Sequence, residues 1–291
     1  LSAARLAVAA CALLSACAGA PPPGTPDLAG RIWAVREARF AGPEEMLARA
    51  AAAPRVILGE VHDNPEHHRL QRRALDALAA LGPRRTLAME QFDSEHQAAL
   101  DDARARGAGA EALAEAGRFD RKGWGWEMYR PLVELAVARG WPLAAANLSR
   151  SEARAIVADP ARAGLAPPAP RLREALERDL IEGHCGDRPA AARLAGMLEA
   201  QRARDARMAQ AIAQAPSVLI AGNGHARKDA GVPLYLPDAE VLSIALVEVD
   251  ADKRSPADYL DGFATRASFD YLWFTPKFDR ADPCERIKGR R

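Results

Sequence analysis

A chain of 291 residues, 49% of them hydrophobic, is long enough to bury a sizeable core in one or two domains. Its 40 Lys and Arg against 39 Asp and Glu leave a net charge of +1. That balance excludes a global electrostatic case for binding nucleic acid or an anionic surface.

Residues 1–16 read as a targeting segment. Arg5 supplies a positive start and Leu6 to Leu14 an apolar stretch, which has signal-peptide length and is too short to cross a bilayer as a helix. Leu14-Ser15-Ala16-Cys17 resembles a bacterial lipoprotein box, so Cys17 is the expected lipidated first residue of the mature protein. The alternative is an ordinary secretory signal cleaved near Ala16 or Ala20. Several acyl chains on one residue would give a stable membrane anchor. Residues 17–30, with Pro21-Pro22-Pro23, would then be a locally stiff tether. A single domain is expected over 31–291.

Residues 31 to 40 read as an edge strand or entry segment, and Glu44 to Ala53 as a short helix ended by Pro54. Arg55-Val56-Ile57-Leu58-Gly59 is an apolar run of strand length. Asn64-Pro65-Glu66 is a helix start, with a capping Asn, Pro in the first turn and then an acid. The helix is expected to run to Leu81 with Leu70, Ala74, Leu78 and Leu81 as its apolar stripe, stopped by Gly82-Pro83. A second strand at 85 to 89 completes a βαβ unit.

Residues 94 to 140 look helical, with breaks near Gly107 and around Gly123 to Trp126. A third strand is expected at 142 to 147. A second helical insertion covers 151–215, broken at Pro167-Pro168-Ala169-Pro170. Ser217 to Ala221 is a fourth apolar run, Val241 to Val249 a fifth strand, and the segment with Trp273 and Phe274 a short strand and tail. Strands alternating with helices predict an α/β architecture, a mainly parallel sheet flanked by helices with a helical subdomain.

Four of the apolar runs stop at polar or ionisable residues. They lead into Gly59-Glu60-Val61-His62, Glu90-Gln91, Asn147, and Gly222-Asn223-Gly224-His225. Parallel sheets bind ligands beyond the carboxyl ends of their strands, so Glu60, His62, Glu90, Asn147 and His225 are expected to converge. Glu60 and His62 are two apart and share a side of an extended segment. A carboxylate beside an imidazole can hold a metal or polarise the ring. His67 and His68 follow at a helix N-terminus, where a neutral ring is favoured. Glu90 could instead pair with Arg85 or Arg150, and Asn147 could simply cap the next helix. Gln201 and Asp205 interrupt an apolar helix stripe four residues apart, either bracing the site or marking a half-exposed face.

Arg227 could clamp a carboxylate such as a haem propionate, or form a surface ion pair. Tyr129 follows the aromatic run Trp124-Gly125-Trp126. A tyrosinate can ligate haem iron and tryptophans suit a porphyrin face, although a core aromatic patch has the same composition. His184, beside Cys185, is a further axial candidate. Of the 4 cysteines, Cys11 falls in the targeting segment. Cys185 and Cys284 remain for the domain, and an oxidising compartment favours a disulfide between them over two free thiols. No Cys-X-X-Cys-His, P-loop, Gly-X-Ser-X-Gly or His-Glu-X-X-His motif occurs, and the glycines around Gly224 do not complete a dinucleotide fingerprint.

The ordered set Gly59-Glu60-Val61-His62-Asp63-Asn64, His67-His68, Glu90, Tyr129-Arg130-Pro131, Asn147-Leu148-Ser149-Arg150, His184-Cys185-Gly186 and Gly222-Asn223-Gly224-His225 with Arg227 resembles the haem-binding uptake lipoproteins of ChaN type. The resemblance spans roughly residues 50 to 236. It implies an outer-membrane lipoprotein, facing the periplasm or the cell surface, that binds haem for iron uptake or storage. It also implies a homodimer with haem at the interface and contact with haem-uptake machinery. The implied haem-binding residues are Tyr129 as axial ligand, His184, His62, His225 and Arg227. The wider superfamily, with Tiki-type metalloproteases and erythromycin esterases, implies an alternative. In it Glu60, His62, Glu90 and His225 hold a divalent metal ion and activate water for hydrolysis.

Overall fold

The computed structural model describes residues 28–236, 239–260, 268–282 and 284–285. The targeting segment 1–16, Cys17 and the tether as far as residue 27 lie outside the described residues. Two short strands, β1 (Ile32–Ala34) and β2 (Arg39–Ala41), precede α1 (Pro43–Ala52). The βαβ unit follows as β3 (Arg55–Glu60), α2 (Pro65–Leu81) and β4 (Thr86–Asp93). The first helical insertion is four helices: α3 (Gln97–Ala105), α4 (Ala110–Ala116), α5 (Arg121–Trp124) and α6 (Trp126–Ala138). Then come β5 (Leu143–Asn147), α7 (Arg150–Ala158), α8 (Pro170–Gly183) and α9 (Ala191–Ala211). The chain continues with β6 (Ser217–Gly222), α10 (Asn223–Ala226), β7 (Val241–Glu248), α11 (Pro256–Leu260) and β8 (Tyr271–Thr275).

The strands form one sheet in the order β2-β1-β8-β7-β3-β6-β4-β5. From β8 to β5 all neighbours are parallel, while β1 pairs antiparallel with both β8 and β2. The α/β class with a mainly parallel sheet is therefore present, and the entry segment is an antiparallel hairpin added to one edge. Strands in the middle of such a sheet are apolar on both faces. In β3, Val56 and Leu58 enter the core that holds Leu75, Leu78 and Leu132. Ile57 enters the opposite core with Met208 and Ile212.

Local signals act as expected at α2. Asn64 Oδ1 accepts from the Glu66 N–H at 2.9 Å, Pro65 opens the helix, and Leu70, Ala74 and Leu78 are buried. Leu81 corrects the expected stripe: it is 65% exposed, at the last position of the helix. Strand β4 continues to Asp93, beyond the expected end at 89, through a register shift against β5 between Met89 and Asp93. Glu90 and Gln91 are thus strand residues. Cys185 and Cys284 form a disulfide with Cα atoms 5.5 Å apart, tying the α8–α9 connection to the C-terminal segment. No helix among the described residues is long and apolar enough to cross a membrane.

Candidate functional site

Strands β3, β6 and β4 are adjacent, so Glu60, Glu90 and the turn after β6 meet at one rim, although β4 runs on to Asp93. Glu60 closes β3 in register with Gly222 of β6. Glu90 follows Met89, which is in register with Ile220.

Glu60 is a buried carboxylate with many donors. His62 folds back onto it, with Nδ1 2.8 Å from Oε1. Gln71 Nε2 donates at 2.7 Å, Gln91 Nε2 at 3.2 Å, and the Tyr129 hydroxyl also donates to it. His68 Nδ1 lies 3.5 Å away. Burial pushes the Glu60 pKa up, but the His62 hydrogen bond and the His68 and His62 charges hold the carboxyl below its usual range. The anion fixes the His62 ring with Nδ1 inward. His62 Nε2 is 3.9 Å from Glu90 Oε2, and its side chain remains 40% exposed. Trp124 meets the ring edge-on, with centroids 4.9 Å apart. Burial lowers the His62 pKa, yet the Glu60 hydrogen bond and the Glu90 charge raise it overall.

Gly222 makes room for this ring. A Cβ there would lie 2.9 Å from His62 Nε2 and 3.1 Å from Cε1. Gly59 admits the next element in the same way, since its Cβ would lie 2.4 Å from Asn223 Oδ1 and 3.0 Å from the Ala226 Cβ. These two absences of a side chain let α10 pack on β3 and carry His225 to the rim.

His225 bridges two buried carboxylates. Nδ1 is 2.6 Å from Asp205 Oδ1, and Nε2 is 3.4 Å from Glu90 Oε1. The Gln201 amide nitrogen lies 3.3 Å from both ring nitrogens. Glu90 Oε2 accepts the Gly222 N–H at 2.8 Å. Burial lowers the His225 pKa, but Glu90 and Asp205 raise it to about 10. Burial likewise raises Glu90, whereas the His225 and His62 charges bring it to about 2. Asp205 is shifted upward, by burial more than His225 offsets. His225 is therefore an imidazolium held between anions, and Asp205 braces it from α9.

Two neighbouring grooves open beside these residues. The smaller, about 120 Å³, is lined by Glu90, Gln91, Trp124 and Asn147 together with Arg150 and Arg204. The larger, about 370 Å³, shares Arg150 and Arg204 and is walled by Val157, Leu180, Met197 and Ala200 beside His184. Arg204 Nε is buried and has no hydrogen-bond partner among the described residues.

Several expected roles change. Tyr129 is fully buried and its hydroxyl is committed to Glu60. Burial and the Glu60 charge push its pKa far above the usual phenol value, so in this geometry the hydroxyl is a protonated donor to Glu60. Arg227 is buried and bound to Asp179 at 2.6 Å and to Asp229 at 2.9 Å. It fastens α8 to the segment after α10 through these two carboxylates. Both nitrogens of His225 already face carboxylates. His184 is exposed, with Nδ1 2.7 Å from the Leu180 carbonyl; it lies on the wall of the larger groove. Arg85 does not reach Glu90 but donates to the carbonyls of Ala51 and Ala53. Arg150 pairs with Asp120. Asn147 donates to the Glu90 carbonyl at 3.0 Å, while Ser149 caps α7.

The four residues of the metal alternative do come together, but not as a cation site. Among the described residues no group of three or more His, Cys, Asp or Glu is arranged to hold a metal ion. Each carboxylate is already neutralised by a histidine and by amide or hydroxyl donors. Gln71 escaped sequence reasoning as part of the site, while His68 and Gln91 were noted only beside His67 and Glu90. The signal for Gln71 was present: it falls three residues after His68 on the same face of α2 as the buried Leu75.

The family model described as haem-binding uptake, Tiki superfamily, ChaN matches residues 46–236. Among solved structures, one of cofacial haem binding to ChaN of Campylobacter jejuni superposes with a TM-score of 0.69. Its identity is 23%, over 83% of this chain and 95% of that one, a likeness of fold. An erythromycin esterase, EreC, in its open conformation gives a TM-score of 0.48 at 13% identity, over 89% of this chain and 98% of that one. No curated protein matches the chain.

Proposed function

The chain belongs to the haem-binding uptake family of ChaN type in the Tiki superfamily, and on that premise we propose that it binds haem beyond its parallel strand ends as a step in haem-iron uptake. The observation that carries this is the pair of grooves joined at Arg150 and Arg204. They combine apolar walls, a histidine on the wall of the larger groove and another beside the smaller, and a guanidinium whose buried Nε lacks a partner. A porphyrin needs an apolar slot, an axial donor and cations for its propionates. Val157, Met197, Leu180 and Trp124 would meet the macrocycle. Arg150, Arg154 and Arg204 would meet the propionates, Arg as a planar fork suited to carboxylates. His62 and His184 are the donors open to an iron. Haem is cargo in this proposal, and the iron takes part in no step performed by the chain.

Anchoring and assembly extend the proposal. The lipoprotein box at Leu14 to Cys17 supports lipidation at Cys17 and a place on the bacterial outer membrane, facing periplasm or cell surface, within reach of haem-uptake machinery. The larger groove is open to solvent, so a bound porphyrin would leave a face that a second copy could cover in a homodimer. A storage role needs the same site with slow release.

The test is titration of the 291-residue chain with haemin followed by absorbance, with metal analysis of the same sample. A saturable, shifted Soret band at fixed stoichiometry, lost when His62→Ala and His184→Ala are combined, is expected. Absence of saturable binding refutes the proposal. Tightly bound zinc, manganese or iron in its place would point to the metal-dependent hydrolase.

A further inference from the structure

The opposite end of the sheet carries a cavity that the haem proposal does not use. It has a volume of about 320 Å³ and is walled by Leu113 of α4, Val133 and Val137 of α6, and Trp141 and Leu143 at the start of β5. Leu143 opens β5 and Asn147, which lines the smaller haem groove, closes it. Four residue steps along the strand separate them, about 13 Å at roughly 3.3 Å per step. The turns at Gly107 and Gly140, with φ of +76° and +63°, form part of its rim.

Two arginines complete the lining, Arg84 just before β4 and Arg104 in the last turn of α3. Neither side chain has a hydrogen bond or an ion pair among the described residues, and no acidic residue lines the cavity. Nearby, Arg72, Arg121 and Arg130 each find a carboxylate. A helix C-terminus accounts for one basic residue at Arg104, but not for Arg84 facing it across an apolar hollow.

We infer that this cavity binds a single-chain amphiphile with a carboxylate head, a medium-chain fatty acid. The alkyl chain enters against Leu113, Val133 and Trp141, and the carboxylate pairs with Arg84 and Arg104. Two guanidinium groups at the mouth favour an anionic head with planar oxygens. The concave apolar lining favours an inserted chain over contact with a flat bilayer. The site is separate from the haem proposal and stands whether or not haem binds.

The test is calorimetric titration of the 291-residue chain with monomeric dodecanoate. Butyrate, which has the head without the tail, and dodecyltrimethylammonium, which has the tail without the anion, serve as comparison probes. Dodecanoate is expected to bind saturably and both comparison probes at least about tenfold more weakly, the scale of a lost charged hydrogen bond or an unfilled apolar pocket. Arg84→Glu with Arg104→Glu should weaken dodecanoate by at least about tenfold. Val137→Trp should block it by filling the rim. Both variants alter exposed or half-exposed positions, and neither should change the haemin titration. The inference is overturned by absent dodecanoate binding, by binding indifferent to both variants, or by equal affinity for dodecyltrimethylammonium. Adsorption to phosphatidylglycerol vesicles without binding of the monomer also overturns it.

Discussion

Replacing His225 by Ala should destabilise the chain strongly, and by an amount that depends on pH in a defined direction. His225 is the cation between Glu90 and Asp205, which are 5% and 1% exposed. Removing it leaves Asp205 without its counter-charge and Glu90 with only the more distant His62, a change that costs about 3–5 kcal/mol when one partner of a buried pair is lost. The pKa values give a comparable figure. Glu90 is lowered from 4.5 to about 2, equivalent to about 3 kcal/mol at roughly 1.4 kcal/mol per pH unit. His225 is raised from 6.5 to about 10. Part of that shift is the same Glu90 interaction, so the two are not added. A lowered acid stabilises above its unfolded value and loses that stabilisation as pH falls through its folded value. A raised base stabilises below its unfolded value and loses that as pH rises through its folded value. The native network is therefore at full strength between about pH 4.5 and 6.5. In His225→Ala the orphaned carboxylates are favoured as neutral acids, so the variant loses stability as pH rises from about 4 toward 7. Guanidinium unfolding followed by tryptophan fluorescence at both ends of that window measures the difference. A deficit below about 1 kcal/mol at pH 6.5, or one that does not grow between pH 4.5 and 6.5, refutes the imidazolium bridge.

Tyr129→Phe should cost about 1–3 kcal/mol in the same unfolding assay, because Glu60 loses a buried donor. It should leave the haemin titration unaltered; a lost Soret band would return Tyr129 to the iron. Gly222→Ala places a Cβ 2.9 Å from His62 Nε2, inside the ordinary contact range that starts at 3.4 Å. The ring must move off Glu60, so haemin affinity should fall while the far-UV spectrum is kept, and an unchanged titration would remove His62 from the site. Reduction of Cys185–Cys284, 99 residues apart, should lower thermal stability by up to about 4–5 kcal/mol before strain. Calorimetry with and without dithiothreitol checks it, and coincident traces would mean the bond does not constrain the unfolded chain.

The sheet was legible in the sequence because its signals are local. Short apolar runs ended by Glu60, Glu90, Asn147 and His225 mark parallel strands, and Asn64-Pro65 marks the start of α2. The edges were less legible. Continuation of β4 through Glu90 and Gln91 depends on pairing with β5 across a register shift, which no window of sequence encodes. Convergence of the strand-end residues followed from topology, but their chemistry did not. Whether a side chain is open to a ligand depends on partners far away in the chain. Arg227 is taken by Asp179, 48 residues distant, and Tyr129 by Glu60, 69 residues distant.

That distinction decides between the two uses a Glu/His rim could have. A hydrated cation needs carboxylates and imidazoles with lone pairs to spare. Here Glu60 is saturated by His62, Gln71, Gln91 and Tyr129, and Glu90 by His225 and the Gly222 N–H. The carboxylates thus serve to fix histidines. What remains open at the rim is of the opposite character: the outer edge of His62, the His184 ring and the buried Nε of Arg204, beside the apolar walls of Val157, Leu180 and Met197. An imidazole donor, a guanidinium and an apolar slot suit a planar ligand that carries its own metal and its own anionic groups. They do not suit a bare metal ion, which would need the anionic oxygens that this rim has already spent. Relieving one of them is a direct check. Tyr129→Phe with Gln71→Leu strips two donors from Glu60, and this pair should bind a divalent ion more tightly than the native chain does. If the native chain already binds zinc as tightly as the double variant, the saturation of Glu60 is not what sets the preference.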